Sequence, residues 1–82
     1  MPENLNVSIL NLNTSLSIDT FEIYDNVLGG ALIANPTIRG GESYPFSIAD
    51  DGTGNGDLNI VNVAVGTPIH YSFIKDGDEI KI

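Results

Sequence analysis

Residues 43–48 have the sequence SYPFSI, which places Tyr44, Phe46 and Ile48 at every second position. Successive side chains of a β-strand point to opposite faces, so this spacing predicts a strand with one buried face. Pro45 has no backbone N–H to donate to a neighbouring strand, and a proline is therefore tolerated mainly at the edge of a sheet. The stretch predicts a half-buried strand that lies at a sheet edge.

The same alternation recurs along the chain between turns rich in Gly, Pro, Asn and Asp, a rhythm typical of sandwiches and barrels. The eleven Ile and five Val residues favour strands, because β-branched side chains pack well on a pleated surface. Seven strands are predicted, over residues 5–12, 16–24, 27–34, 44–48, 58–65, 69–74 and 79–82. One sheet of this size would leave an apolar face in water. We therefore expect an all-β fold, a small two-sheet antiparallel β-sandwich, with a small β-barrel as the alternative.

The chain of 82 residues shows no change of composition that would mark a boundary, and we expect one domain over residues 1–82. An immunoglobulin-like or similar strand arrangement is compatible with the strand count. The cysteine pair and the tryptophan typical of true immunoglobulin domains are missing. The absence of cysteine also removes disulfides and thiolate metal sites, and it leaves the cellular compartment open.

Two local signals concern turns. Gly29 and Gly30 weaken the predicted third strand and indicate a bend there, and the lone Ile38 lies between two predicted turns. Asp76 and Gly77 suit a type I′ turn, because glycine accepts the positive φ that such turns need. We therefore expect the sixth and seventh strands to form a closing hairpin.

The charge and the lengths of the apolar stretches argue against two classes of interaction. Eleven acidic and three basic residues give a formal net charge of −8, whereas nucleic-acid binding needs a basic surface that releases counterions. No apolar stretch reaches the roughly 18 residues of a membrane span. We expect no nucleic-acid partner and no membrane span.

Residues 50–57, with the sequence DDGTGNGD, are the most informative polar stretch, and we call them the 50–57 loop. Oxygen-bearing side chains alternate here with glycines, and a calcium loop uses such spacing to converge several oxygens on one cation. The segment resembles only the first half of an EF-hand-type loop, because the expected glutamate at position twelve is Asn62. The candidate ligands for Ca²⁺ are Asp50, Asp51, Asn55 and Asp57; the alternative is a solvated connection between strands.

No catalytic constellation is recognisable, and we expect no enzymatic activity. His70 is the one histidine, and alternation groups it with Ser72 and Ile74 on the face opposite Ile69 and Tyr71. No serine lies in a nucleophile-elbow motif that could use His70 as a base. The aromatic residues are expected in the core, although a tyrosine at a strand end could also serve as a platform for a sugar. They are Phe21, Tyr24, Tyr44, Phe46, Tyr71 and Phe73.

The leading functional hypothesis is a non-enzymatic structural, assembly or protein-binding β-sandwich module that self-associates into a homo-oligomer. The small core would benefit from a partner, and the apolar strand Ile80-Lys81-Ile82 has an edge that a neighbouring chain could cover. The expected partner is another protein or a second copy. The alternative is a calcium-dependent or carbohydrate-binding module that uses the 50–57 loop.

Overall fold

The structure is a computed structural model that describes residues 4–13 and 17–82. It contains eight strands in the described residues: β1 (Asn4–Leu10), β2 (Ile18–Asp25), β3 (Ala31–Ala34), β4 (Thr37–Arg39), β5 (Ser43–Ala49), β6 (Gly56–Asn62), β7 (Pro68–Ile74) and β8 (Glu79–Lys81). One turn of 3₁₀ helix, Asn26–Leu28, follows β2. The described residues form no helix of the length and apolarity needed to cross a membrane.

The strands form the two sheets of a β-sandwich, as the alternation predicts. The three-stranded sheet has the order β5-β1-β8, and the five-stranded sheet has the order β3-β2-β6-β7, with β4 also paired to β2. Pro45 therefore lies in an edge strand, as predicted. Neighbouring strands are antiparallel except for β1 and β8, which are parallel. The all-β, two-sheet architecture is confirmed.

The core lies between the two sheets and is almost entirely aliphatic. Its buried residues are Leu5, Val7, Ile9, Phe21, Ile23, Ile38, Ile48, Leu58, Ile60, Ile74 and Ile80. Full burial of a side chain of this size stabilises the fold by about 1.5–3 kcal/mol relative to exposure. Gly56 allows the sheets to approach at the start of β6, because a Cβ atom there would collide with the side chain of Ile48.

Two buried polar residues join the sheets at opposite ends of β2. Asp25 accepts a hydrogen bond from the Val27 N–H (3.0 Å) and another from the Ala49 N–H in β5 (2.9 Å). Asn11 follows β1 and donates from Nδ2 to the carbonyl oxygen of Ile38 in β4 (2.9 Å). Each group has the partners that a buried polar group requires, so both contacts support the pairing of the two sheets.

The predicted third strand, residues 27–34, is wrong in its first half. Residues 26–28 form the 3₁₀ turn, Gly29 adopts a positive φ of 77°, and only Ala31–Ala34 form β3. Conversely, Thr37–Arg39 form β4 around Ile38, where turns were predicted. The reason is tertiary pairing: β2 is long enough to pair with β4 through its first residues and with β3 through its last.

The predicted closing hairpin is also wrong. Gly77 adopts a positive φ of 87°, but Asp76 does not, so the predicted type I′ turn, which needs a positive φ at both central residues, is wrong. In addition, β7 belongs to the five-stranded sheet and β8 to the three-stranded sheet, so this turn carries the chain from one sheet to the other. Crossing buries Ile80 against β1, where it pairs with Ile9.

Candidate functional site

The aspartates at the start of the 50–57 loop are hydrogen-bonded within the loop itself. Asp50 Oδ1 accepts hydrogen bonds from the N–H groups of Gly52 (2.8 Å) and Gly54 (2.9 Å). Asp51 Oδ1 accepts from the N–H (2.8 Å) and the hydroxyl (2.6 Å) of Thr53. These contacts hold a tight turn, and they orient one oxygen of each carboxylate toward the loop backbone.

The other two candidate ligands contact residues outside the loop. Asn55 Oδ1 accepts a hydrogen bond from Lys75 Nζ (2.9 Å). Asp57 lies in β6, where its Oδ1 is 2.7 Å from Asn26 Nδ2 and 2.7 Å from His70 Nε2. Asp57 is therefore positioned by neighbouring elements, whereas Asp50 and Asp51 are positioned by the loop.

The structure brings Asp50, Asp51 and Asn55 into one turn and directs Asp57 toward His70. Within residues 4–13 and 17–82, no group of three or more His, Cys, Asp or Glu side chains has the arrangement of a metal site. A bound cation would have to compete with Lys75 for the Asn55 oxygen. Calcium binding by Asp50, Asp51, Asn55 and Asp57 stays a prediction.

Hydrogen bonds lower the pKa of two of these carboxyl groups. The pKa of Asp51 is below its ordinary value because the Thr53 hydroxyl and N–H both donate to its carboxylate. The pKa of Asp57 is lowered chiefly by the amide of Asn26, with His70 as a further donor. Both groups therefore stay ionised to a lower pH than a free aspartate.

His70 lies on the outward face of β7, as the alternation predicts. Its side chain is 59% exposed, and its one recorded polar partner among the described residues is Asp57. The predicted grouping of His70 with Ile74 is wrong, because Ile74 is buried in the core. The cause is a register shift between β6 and β7, where Phe73 adopts a positive φ of 57° and reverses the alternation.

The same bulge explains an error about the aromatic core. Phe21 is buried, and Tyr44 and Phe46 pack against the core with stacked rings 5.8 Å apart. Phe73, by contrast, is 77% exposed. A bulky residue with a positive φ is uncommon, and here that conformation turns the ring to solvent. Phe73 was predicted in the core and is instead a surface residue.

An apolar groove lies between the two sheets, and we call it the β7 groove. One wall consists of Phe21, Ile60, Ile69 and Tyr71 from three neighbouring strands of the five-stranded sheet. The facing wall includes Ile82, which extends the β1–β8 pairing through hydrogen bonds to residues 10 and 12. Ile69 points toward the sheet interface, since it pairs with Ile60, yet it is 55% exposed. The three-stranded sheet therefore does not fully cover β7.

The β7 groove has a volume of about 180 Å³. Sites for drug-sized molecules span roughly 300–1,000 Å³, so this groove is too small for such a ligand. A closed cavity of about 150 Å³ lined by apolar side chains can hold benzene. The β7 groove is thus large enough for one aromatic or branched aliphatic side chain.

One end of the β7 groove is polar. Asn13 and Asn62 line it there, and Asn13 Nδ2 donates to Asp19 Oδ2 at 2.6 Å. Asn11 donates to the same oxygen at 2.9 Å, and these amides lower the pKa of Asp19. The groove therefore has mainly apolar walls, and the Asp19 carboxylate, which is ionised at neutral pH, lies next to Asn13 at its polar end.

The strand beside the groove is a sheet edge with exposed apolar neighbours. Among the described strands, β7 pairs only with β6. Val65 precedes β7, is 68% exposed and lines the groove, while Phe73 lies near the opposite end of the strand. Sequence reasoning placed Phe21 and Tyr71 in a closed core and missed this surface. Alternation shows which side chains face inward but not whether a second sheet covers them.

Comparison of the chain with protein-family models, with curated proteins and with solved structures finds no match in any of the three.

Proposed function

We propose that this protein is a non-enzymatic protein-binding module that contacts its partner through the edge of β7 and the β7 groove. The proposal rests on one observation: the inner face of β7 is not fully covered by the other sheet. Ile69 on that face and Val65, which precedes the strand, are both more than half exposed beside the apolar groove. Apolar surface of this kind next to an open strand edge is typical of a protein interaction site.

The surroundings of the groove agree with this proposal. Among the residues that the structure describes, none that lines the groove carries a charged side chain, and a core depleted of charge inside a polar rim is the usual anatomy of a protein interface. Strand edges also provide backbone N–H and C=O groups that an extended segment of another protein can pair with. The groove and the edge together provide one anchoring pocket and one line of backbone hydrogen bonds.

The absence of catalysis is part of the same proposal. His70 is the one histidine of the chain, and it is exposed on the outward face of β7, away from the groove. A general base acts within hydrogen-bond reach of the reacting proton in an enclosed site. The groove itself is lined by apolar and amide or hydroxyl side chains, which suit recognition.

Selection from a library of random displayed peptides tests the proposal. The wild-type protein should enrich a family of related peptides, and Ile69→Ser should bind them at least about tenfold more weakly, because it places a hydroxyl in the groove. Leu32→Ser is the matched control, since Leu32 is a similarly exposed apolar residue on β3. Enrichment of no peptide family, or equal binding by both variants, would contradict a protein-binding role for this surface.

A further inference from the structure

The inference that follows rests on the proposed function and specifies the partner. We infer that the β7 groove receives one large apolar side chain from an extended segment of a different protein, and that a lysine or arginine of that segment pairs with Asp19. The partner is thus recognised by an apolar anchor and a basic residue on the same face of an added strand.

The volume limits the anchor to a single side chain. A groove of about 180 Å³ slightly exceeds a cavity that holds benzene, and Tyr71 and Phe21 supply aromatic surface on its wall. An aromatic or branched aliphatic side chain fits such a site and would displace water from apolar surface. Anchors of this kind dominate the energy of many protein interfaces.

The direction of β7 requires the partner segment to be extended. A strand added beside β7 would continue the five-stranded sheet, and alternate side chains of that strand would point toward the three-stranded sheet. These inward side chains lie on the same side as Ile69 and Tyr71, which face the groove. Pro68, which lacks an N–H, and the bulge at Phe73 limit the pairing to the residues between them.

The charge favours a basic segment of another protein. Asp19 lies on the inward face of β2, on the same side as the buried Phe21, and its carboxylate contacts Asn13 at the end of the groove. The whole chain carries a net charge of −8, so its field attracts a basic partner and speeds encounter. A second copy is a poorer occupant, because it brings the same net charge of −8 and is repelled.

Three fluorescently labelled nine-residue peptides test the inference. The first, KTVTFTVTK, alternates apolar and threonine residues and places both lysines on the same face as its phenylalanine. The second, ETVTFTVTE, replaces the lysines by glutamate, and the third, KTVTSTVTK, replaces the anchor by serine. We expect the first peptide to bind at least about tenfold more tightly than either of the others. We also expect high salt to reduce its advantage over the glutamate peptide.

Matched variants assign the effect to the groove. Asp19→Asn should weaken the lysine peptide severalfold while leaving the glutamate peptide unchanged or tighter. Glu22→Gln is the control, because it removes the same charge from the outward face of the same strand. If Asp19→Asn fails to fold, Asp19→Ser removes the same carboxylate, and an unchanged preference of that variant for the lysine peptide would overturn the pairing with Asp19.

Different experimental results would contradict the inferred partner and the proposed function. Equal affinity for the lysine and glutamate peptides, or for the phenylalanine and serine peptides, would overturn the inference even if library selection yields other ligands that need Ile69. A wild-type dimer that Ile69→Ser converts to a monomer would also overturn it, because a second copy would then fill the groove. Only the absence of every Ile69-dependent ligand would remove the proposed function as well.

Discussion

Asp25 is a carboxylate with no exposed surface, placed where β2 ends. Its two oxygens accept hydrogen bonds from two N–H groups, those of Val27 and Ala49. Each oxygen of the carboxyl group accepts one of these hydrogen bonds, so the side chain satisfies both donors at once. Asp25 thereby fixes the 3₁₀ turn and joins the five-stranded sheet to β5.

The substitution Asp25→Asn tests this role. The amide keeps one acceptor and turns an NH₂ group toward the other N–H, so a buried donor loses its partner. We expect the free energy of unfolding to fall by about 2 kcal/mol, the usual effect of losing a hydrogen bond to a buried charged group. Urea denaturation at neutral pH measures the change. Glu22→Gln is the control, and an equal effect of both substitutions would contradict the role of Asp25.

Phe73 has a backbone conformation that is imposed by the pairing of β7 with β6. Its positive φ of 57° is a region that bulky side chains rarely adopt and that costs about 1–2 kcal/mol for most residues. Its ring is 77% exposed, so little apolar burial offsets this cost. The conformation is imposed by the bulge that returns Ile74 to the core.

Phe73→Asn should therefore stabilise the fold. Asparagine tolerates the left-handed region, and the lost ring contributes little packing, so we expect the free energy of unfolding to rise by about 1 kcal/mol. Ser72→Asn, at the preceding position, should leave it within about 0.5 kcal/mol. Urea denaturation compares both variants with the wild type. A lower stability of Phe73→Asn would show that the ring packs in a way that its exposure does not suggest.

At the scale of elements, the 50–57 loop is held by its own carboxylates. The folded state keeps the pKa of Asp51 below its ordinary value of 3.8. Folding therefore favours the ionised form, and the stability contributed by Asp51 is present above about pH 4. It is lost as the pH falls through the lowered pKa of the folded state.

Removing the Asp51 carboxylate should make the free energy of unfolding depend less on pH under acidic conditions. The wild type should lose free energy of unfolding as the pH falls from about 5 to about 2, and Asp51→Asn should lose less over the same interval. Glu42→Gln removes an exposed carboxylate from another turn and serves as the control. Denaturant titrations at several pH values measure the difference, and parallel curves for the wild type and Asp51→Asn would contradict the role of the Thr53 hydrogen bonds.

The calcium alternative concerns the same loop and makes a separate prediction. If Asp50, Asp51, Asn55 and Asp57 bind Ca²⁺ in the folded state, calcium at 100 times its dissociation constant adds about 2.7 kcal/mol of stability. The melting temperature should then be higher in millimolar calcium than with a chelator, and Asp50→Asn should reduce the difference. Equal melting temperatures in both conditions would end the calcium hypothesis.

At the scale of the whole molecule, the net charge and the open strand edges have opposite effects on association between copies of the chain. The strand edges favour association between copies, whereas the net charge of −8 repels them. Salt screens this repulsion, with a Debye length of about 10 Å at 0.1 M. Self-association through the edge near Lys81 in β8 stays a prediction, distinct from the binding proposed for the β7 groove.

Sedimentation velocity over a range of micromolar concentrations tests self-association. We expect a dimer fraction that rises with concentration and with salt, because screening weakens the repulsion between copies. Ile69→Ser should leave the dimer fraction unchanged, because the proposed occupant of the β7 groove is a different protein and not a second copy of this chain. A monomer at every concentration and salt level would refute self-association.

The amino-acid sequence by itself determined the fold class, the edge position of Pro45 and the inward direction of Phe21 and Tyr71. These follow from local causes: period-two alternation, β-branched composition and the missing N–H of proline. The 50–57 loop was likewise identifiable from its Asp, Asn and Gly content.

Only the tertiary structure decided which strands share a sheet, that β8 crosses to β1, and that Phe73 turns to solvent. The open groove beside β7 follows from the same pairing, because a three-stranded sheet packs against one of five strands. The physical reason is that alternation fixes the side of a strand on which a residue lies, whereas coverage of that side depends on contacts between distant segments. Register shifts and sheet order arise from these long-range contacts, which residues adjacent in sequence do not record.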